Sequence, residues 1–412
     1  MIAGAAAAHA QSIPEQGTIT AYLDFDLAGA DGEQSWLKGG FGKGRFGGDQ
    51  PGGTSGLVVR PHLTEAGIVW QPHISWALGA VVAAVAQDGQ QHPIDLSEAY
   101  LTYKPMPSGI WHLSARAGLF WPPVSLEHGG AEWAVRDSLT PSAINGWIGE
   151  EVKVVGAEAS AATMIGNQRL TITGALFGFN DTAGTLLAFR GWALQDEKAT
   201  AFGKQPLPPL SPFWNQFQDH VAQPIFEQDD RVGWYVKLTW RPPGPFELQA
   251  FHYDNRGDPQ AVDEYWQWAW RTRFDNLGVI YDVGPHTRLI AQGMIGRTQM
   301  GYRGGPADPR TALDDHFRSA FLLATQQLGS GSASARIEAF GTHAGGRATF
   351  APDSEDGWAF TLAGKRPLGR HATMLLEAVH IDSDRRARER IGIDPHQTQT
   401  IVRLGLRLRA TR

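Results

Sequence analysis

Cysteine is missing from all 412 residues. Disulfides and thiolate metal sites are therefore excluded, and the composition suits an exported bacterial protein. No run of 18 or more apolar residues occurs, so no transmembrane helix is expected. Neither charge sign dominates, with 36 Lys+Arg against 42 Asp+Glu, and a nucleic-acid partner is not expected. The 14 histidines are scattered and form neither His-x-x-x-His nor His-Glu-x-x-His, so no metal or other cofactor is expected. Gly-x-Ser-x-Gly is absent, and Gly329-Ser330-Gly331-Ser332 reads as a turn. The glycine-rich stretch 39–48 lacks the Gly-Lys-Ser/Thr of a phosphate loop and reads as a strand at a tight place in a wall. Glu150 and Glu151, adjacent on a strand, would point to opposite faces and are read as solvated interface groups rather than a catalytic pair. Nothing signals an enzyme.

What the sequence does hold is alternation. In 401–409, Val402, Leu404, Leu406 and Leu408 share one face, while Arg403, Gly405, Arg407 and Arg409 share the other. Side chains of a strand alternate with period two, so one face is continuous hydrocarbon and the other cationic. In 231–241, Val232, Trp234, Val236, Leu238 and Trp240 alternate with polar residues in the same way, and Pro242-Pro243-Gly244-Pro245 turns the chain into 246–253. The unit recurs in 268–283 with 287–300, in 314–328 with 332–344, and in 356–367 with 371–382. Longer charged or Gly/Pro-rich stretches at 254–265, 301–313, 345–355 and 383–396 separate these hairpins. Segments of about ten alternating residues, joined by short turns and long loops in turn, are the pattern of a transmembrane β-barrel.

The first half continues the rhythm with candidate strands at 35–46, 64–72, 74–87, 93–104, 110–120, 150–160 and 168–179. The expected fold is all-β: a transmembrane antiparallel barrel of about 16 strands, with short periplasmic turns and long extracellular loops. Two surplus segments keep 18 strands open. Residues 17–27, within an N-terminal stretch 11–34, are a lead-in or a first strand, and 185–195 is a hairpin within an outer loop. Residues 1–10, with Ala8-His9-Ala10 as a small-x-small cleavage pattern, read as the back half of a signal peptide. The barrel is then 35–412. Two long segments break the rhythm, 121–149 and 196–230, and such segments are usually functional. The 15 Trp alternate with polar residues near strand ends, which fits interfacial girdles better than the groove of a soluble carbohydrate binder. His252, His343 and His380 also lie near strand ends, where an amphipathic ring suits an interface.

The stretch Arg116-Ala117-Gly118-Leu119-Phe120-Trp121-Pro122-Pro123-Val124-Ser125-Leu126-Glu127 resembles the Gly-x-Phe-x-x-Pro-x-Ser-Leu-Glu segment of the phosphate-selective porin family (porin O/P-like). Asp95-Leu96-Ser97-Glu98-Ala99-Tyr100-Leu101 and Gly174-Ala175-Leu176-Phe177-Gly178 resemble strands of that family. The resemblance implies a sixteen-stranded homotrimeric porin of the bacterial outer membrane, in contact with its lipid. It also implies an inward-folding loop at about 121–149 and passive diffusion of small solutes or ions. The constriction lysines of phosphate-selective members have no counterpart, because 121–149 holds Arg136 but no Lys. The end Ala410-Thr411-Arg412 also departs from the aromatic last residue usual in such barrels.

By parity, Arg116, Lys237, Arg403, Arg407, Arg409, Glu98 and Glu158 face the lumen, where rings of charge select ions by sign. Glu127, His128, Glu132, Arg136 and Asp137 are the candidate constriction residues on the 121–149 loop. The expected function is a porin with a transverse field between wall cations and loop carboxylates. The competing expectation is a non-conducting outer-membrane receptor, adhesin or lipid-modifying enzyme, with its lumen plugged by 196–230.

Overall fold

The computed structural model describes residues 17–107, 109–130, 132–348 and 353–412. The signal-peptide reading of 1–10 lies outside the described residues. Sixteen antiparallel strands close into a barrel. They are β1 (Thr18–Glu33), β2 (Thr54–Gln71), β3 (Leu78–Gln87), β4 (Asp95–Tyr103), β5 (Trp111–Phe120), β6 (Val154–Ile165), β7 (Gln168–Gly178) and β8 (Gly233–Arg241), followed by β9 (Phe246–Asp254), β10 (Arg271–Val283), β11 (Thr287–Met300), β12 (Leu313–Leu328), β13 (Gly331–His343), β14 (Glu355–Pro367), β15 (Ala372–Arg385) and β16 (His396–Thr411). Each pairs with the next, and β16 closes on β1 from Thr20 opposite Thr411 to Ala30 opposite Ile401. Closure leaves no unpaired edge, the condition a sheet must meet to cross lipid.

The strand number is sixteen rather than eighteen, but one member differs from the expectation. The barrel begins at Thr18, so 17–27 belongs to a wall strand. The expected strand 35–46 is not in the wall. After β1 the chain turns inward, and Trp36, Phe41, Lys43 and Arg45 are all buried. A Cβ at Gly40 would stand 2.0 Å from the Gln34 carbonyl oxygen, and one at Gly42 2.6 Å from it. The glycines let this segment fold back on its own entry, as close backbone approach requires. The expected hairpin at 185–195 is instead a short helix, Thr185–Phe189, followed by an inward buried run. The expected strand 150–160 starts late, at Val154, because Ala143–Glu151 forms a helix, α1.

The outside of the wall is apolar. Leu23, Leu101, Leu176, Leu238, Leu322, Leu376 and Leu404 are exposed, with Trp70, Trp234, Trp240 and Trp358 among them. In water such a belt would be an aggregation surface. Around a closed barrel it is the lipid-facing band, with aromatic rings suited to its interfaces. Among the described residues no helix is long and apolar enough to cross a membrane, so the strands do the crossing. Short connections at 166–167, 242–245, 284–286, 329–330 and 368–371 gather at one end, and the longer loops leave from the other. By the usual asymmetry the first end is periplasmic and the second extracellular.

Candidate constriction in the barrel lumen

Three segments descend from the long-loop end into the lumen: 34–53, 121–153 and part of 179–232. A sixteen-stranded wall encloses more space than its own side chains can fill, and these segments fill it. Helix α1 is the centre of the filling. Ser142 caps it by accepting from the Asn145 N–H, which supplies one of the orphan contacts of a helix start. All nine of its residues are buried, as is usual for a helix covered on every side. Leu194 hydrogen-bonds to Lys43, Ala199 to Gly149 and Ala201 to Leu96 through their backbones, tying the inward runs to one another and to the wall.

The two halves of the lumen differ in chemistry. On the β7–β12 side the contacts are aromatic. Trp147 of α1 meets Phe274 at 5.4 Å and Phe317 at 5.2 Å, and Tyr253 stacks on Phe177 and Phe274 at 5.0 and 4.9 Å. On the β13–β16 and β1 side the contacts are ionic. Arg336 of β13 donates to Glu127 (2.9 Å) and Glu338 (2.8 Å) and to the carbonyls of Thr140 and Pro141. Glu377 of β15 accepts from the Thr140 N–H and hydroxyl. Arg403 of β16 reaches Asp26 (2.6 Å) and Asp196 (3.0 Å), and Asp196 is also held by Arg45 at 3.0 Å. Lys43 and Arg385 both hold Glu355, and Arg388 holds Glu33. Buried charges need such pairing because desolvation of an unpaired ion is prohibitive.

Each expected pore-lining residue points inward and meets a partner. Arg116 makes a two-pronged contact with Glu158 at 2.9 Å, and Glu158 also accepts from Tyr235. Lys237 donates to the Pro123 carbonyl (2.7 Å), and Glu98 accepts from the Trp121 N–H (3.4 Å). Arg403 is described above. Arg407 pairs with Asp24, and Arg409, whose side chain is 47% exposed, pairs with Glu132 at 3.0 Å. Among the loop residues, Glu127 gathers Arg336, Ser142 and Asn145. His128 bonds Ser125 at 2.8 Å and stacks on Trp133 at 3.6 Å, with Trp121 on the far side of Trp133 at 4.1 Å. Arg136 donates to the Leu126 carbonyl (2.6 Å), and Asp137 faces Lys365 at 3.7 Å. Loop carboxylates and wall cations are thus in direct contact. The expected open gap with a transverse field is not present in this arrangement.

Glu150 and Glu151 correct another expectation. They lie on a helix, not a strand, and neither is solvated. Glu150 takes a two-pronged contact from Arg190 at 2.6 Å, and Glu151 accepts from the Trp147 indole and the Leu186 N–H. Arg336, Glu338, Glu377, Arg385, Arg45 and Asp196 were not singled out from the sequence. For Arg336 the signal was there: Ser334, Arg336 and Glu338 alternate with Ala335, Ile337 and Ala339. For Arg45 and Asp196 there was none, since neither lies on a wall strand.

Among the described residues one acidic trio, Asp181, Glu227 and Asp229, comes close enough to share a cation, with one oxygen of each within 4.8 Å of the others. It lies on the loop between β7 and β8. Burial pushes the Asp181 carboxyl up to about 7, despite the hydrogen bond from the Gln228 N–H, and the neighbouring Asp229 and Glu227 charges add to the rise. No histidine or cysteine joins the trio among the described residues.

No protein-family model matches the chain, and no curated protein matches its sequence. Similarity is found among solved structures. The outer membrane channel DcaP of Acinetobacter baumannii superposes with a TM-score of 0.53 at 10% identity, over 96% of this chain and 99% of that one. An anion-selective porin from Comamonas acidovorans gives 0.50 at 13% identity, over 96% and 100%. A loop-L8 deletion mutant of OmpT, an outer membrane protein of Vibrio cholerae, gives 0.50 at 8% identity, over 95% and 99%. At these identities the likeness is one of fold, and the fold is that of bacterial outer-membrane barrels and channels.

Proposed function

We propose that this chain is an outer-membrane diffusion channel of small calibre, passing small hydrophilic or charged solutes and working as a homotrimer. The observation that carries the reading is the chemical asymmetry of the lumen. The loops are bound to one wall by aromatic packing and to the other by ion pairs, and water already reaches the short-turn end of the ionic side. There the Lys365 side chain is 29% exposed opposite Asp137, and Arg407 with Asp24 and Arg409 with Glu132 lie nearby on β16 and β1. The Lys365–Asp137 pair, long at 3.7 Å and partly open to water, contributes about 1 kcal/mol or less, so it can part around a passing solute. Glu127, His128, Glu132, Arg136 and Asp137 would set the narrowest point, and Arg116, Lys237, Arg403, Glu98 and Glu158 would fix its walls. The fold is compatible with the porin O/P-like resemblance, and phosphate preference is not part of the reading.

A second reading has its own support. Arg336, Glu127, Glu338 and Glu377 are fully buried where the loop meets the wall, which fits a plugged barrel acting as a receptor, adhesin or lipid-modifying enzyme. A planar-bilayer recording of the detergent-extracted protein under a salt gradient separates the two. Discrete conductance steps support the channel, and the reversal potential gives the sign of its selectivity. A folded, inserted protein that never conducts overturns it.

A further inference from the structure

The outer face of β10–β13 carries a row of basic side chains, two arginines and two histidines, that a lipid-facing wall does not need. Strand register places Arg273 directly opposite Arg297, Arg297 opposite His316, and His316 opposite His343. All four belong to the outward set. Their neighbours along each strand, Thr272 and Phe274, Thr298, Phe317 and Thr342, are buried toward the lumen, while Arg273, His316 and His343 are exposed. Arg318 stands two residues below His316 on the same face, with its side chain 75% exposed. The row runs perpendicular to the strands and crosses three strand spacings, roughly 14 Å at about 4.8 Å each.

Its height identifies its surroundings. Leu277, four residues toward the short-turn end on β10, is exposed in the apolar band. Four residues at about 3.4 Å, on strands tilted by roughly 45°, rise about 10 Å. Arg273 is thereby placed about 10 Å nearer the long-loop end than Leu277, on the headgroup side of the apolar band.

Its charges are not balanced from within the protein. Arg297 is satisfied by Asp314. Arg318 meets Asp356 only loosely, at 3.3 Å with both side chains exposed. Asp275, below Arg273, is engaged by His252 at 2.8 Å, and Asp254, beside it on β9, faces Arg271 at 3.8 Å. The side chains of Arg273, His316 and His343 make no hydrogen bond or ion pair among the described residues. With Arg297 held by Asp314, Arg273 is the arginine of the row whose guanidinium is left open to an outside anion. On β14 and β15 the outward residues are acidic instead, Asp356, Asp382 and Asp384, which confines the basic row to four strands.

We propose that this row binds the headgroup of a membrane lipid that carries more than one phosphate. Guanidinium forks match phosphate oxygens, and membrane-adjacent cations gain further from an anionic leaflet. A single phosphate would engage Arg273 and leave His316, His343 and Arg318 unmet. The site is independent of whether the lumen conducts.

The test is lipid retention, read by native mass spectrometry after release from nanodiscs of phosphatidylcholine containing a tenth of either diphosphorylated lipid A or phosphatidylglycerol. The wild-type protein is expected to retain the diphosphorylated lipid preferentially. R273Q/H316Q/H343Q is expected to retain about tenfold less, while R370Q, at the short-turn end, retains as much as the wild type. All three should keep heat-modifiable gel mobility, the mark of a folded barrel. Inorganic phosphate at millimolar concentration should not displace the lipid. Equal retention by the triple variant, equal retention of phosphatidylglycerol, or no retention by the folded wild type would overturn the proposal.

Discussion

Glu127→Gln is the substitution that probes the lumen most directly. Glu127 sits where the inward loop meets the β13 wall, and its carboxylate accepts from Arg336 Nη1 (2.9 Å), from the Ser142 N–H (2.9 Å) and hydroxyl (2.5 Å), and from Asn145 Nδ2 (2.6 Å). The amide removes the charge and replaces one acceptor with a donor that would face Arg336 or Asn145. Breaking a buried ion pair by removing one partner costs about 3–5 kcal/mol. Arg336 keeps Glu338 and two backbone carbonyls, so the low end applies, about 3 kcal/mol. That corresponds to roughly a hundredfold shift toward a loop released from the wall. Single-channel recording should then find E127Q open more often, or at larger conductance, than the wild type. E127Q/R336M/E338Q, which removes all three charges of the group, should recover much of the wild-type behaviour, because replacement of a whole buried ionic group is often tolerated. If E127Q lowers the unfolding temperature and leaves both conductance and open time unchanged, then the contact between loop and β13 is structural only, and the reasoning about the ionic side fails.

Other expectations follow from single contacts. Lys365→Gln or Asp137→Asn should leave thermal stability within about 0.5 kcal/mol, since the pair is partly exposed and 3.7 Å apart, yet each should move the reversal potential in a salt gradient, in opposite directions. Gly118→Ala should hinder folding: its φ is +138° and the new Cβ would lie 2.2 Å from the Ala99 carbonyl oxygen, so loss of heat-modifiable mobility is the outcome to look for. Asp181 binds its proton more tightly in the folded loop than in the unfolded chain. Its contribution to stability is therefore full below the ordinary carboxylate range and is lost as pH rises through about 7. Limited proteolysis of the loop between β7 and β8 should accordingly speed up from pH 5 to pH 8 in the wild type, and less so in D181N.

Period-two alternation made the wall legible. It held for 231–241 and 401–409, where one face meets lipid and the other does not, and parity alone turned Arg116, Lys237, Arg403 and Arg407 toward the lumen. It failed at 35–46, for a physical reason. A segment packed inside a filled lumen is covered on both sides, so Trp36 and Phe41 are buried along with Lys43 and Arg45, and alternation there carries no information about a membrane. The place of 17–27 in the wall is not legible locally, because its inward face, with Asp24 and Asp26, matters only once Arg407 and Arg403 stand beside it on the closing strand. The ionic partners were out of reach altogether. Glu127 and Arg336 are 209 positions apart, and Thr140 and Arg403 are 263 apart. No local pattern reports such pairs.

The division of the lumen also argues for how the loops would move if they move. Separating Trp147 from Phe274 and Phe317 would expose aromatic surface to water at about 25 cal/mol per Å², with nothing in return. Separating Asp137 from Lys365 gives each ion back to water at nearly equal free energy, because this pair is already partly wet. A solute entering from the short-turn end therefore meets the cheaper contacts first. The loops would stay with β7–β12 and part from β13–β16 and β1, so that the passage opens along the arginine wall. Cross-linking tests this direction. A cysteine pair across the β7–β12 side, at Leu126 and Gly278, where a Cβ on the glycine would lie 2.7 Å from Leu126 Cδ1, should leave the conductance of E127Q intact, whereas a pair across the ionic side, at Asp137 and Lys365, should abolish it until reduced. The reverse pattern would place the moving contact on the aromatic wall and remove the argument from asymmetry.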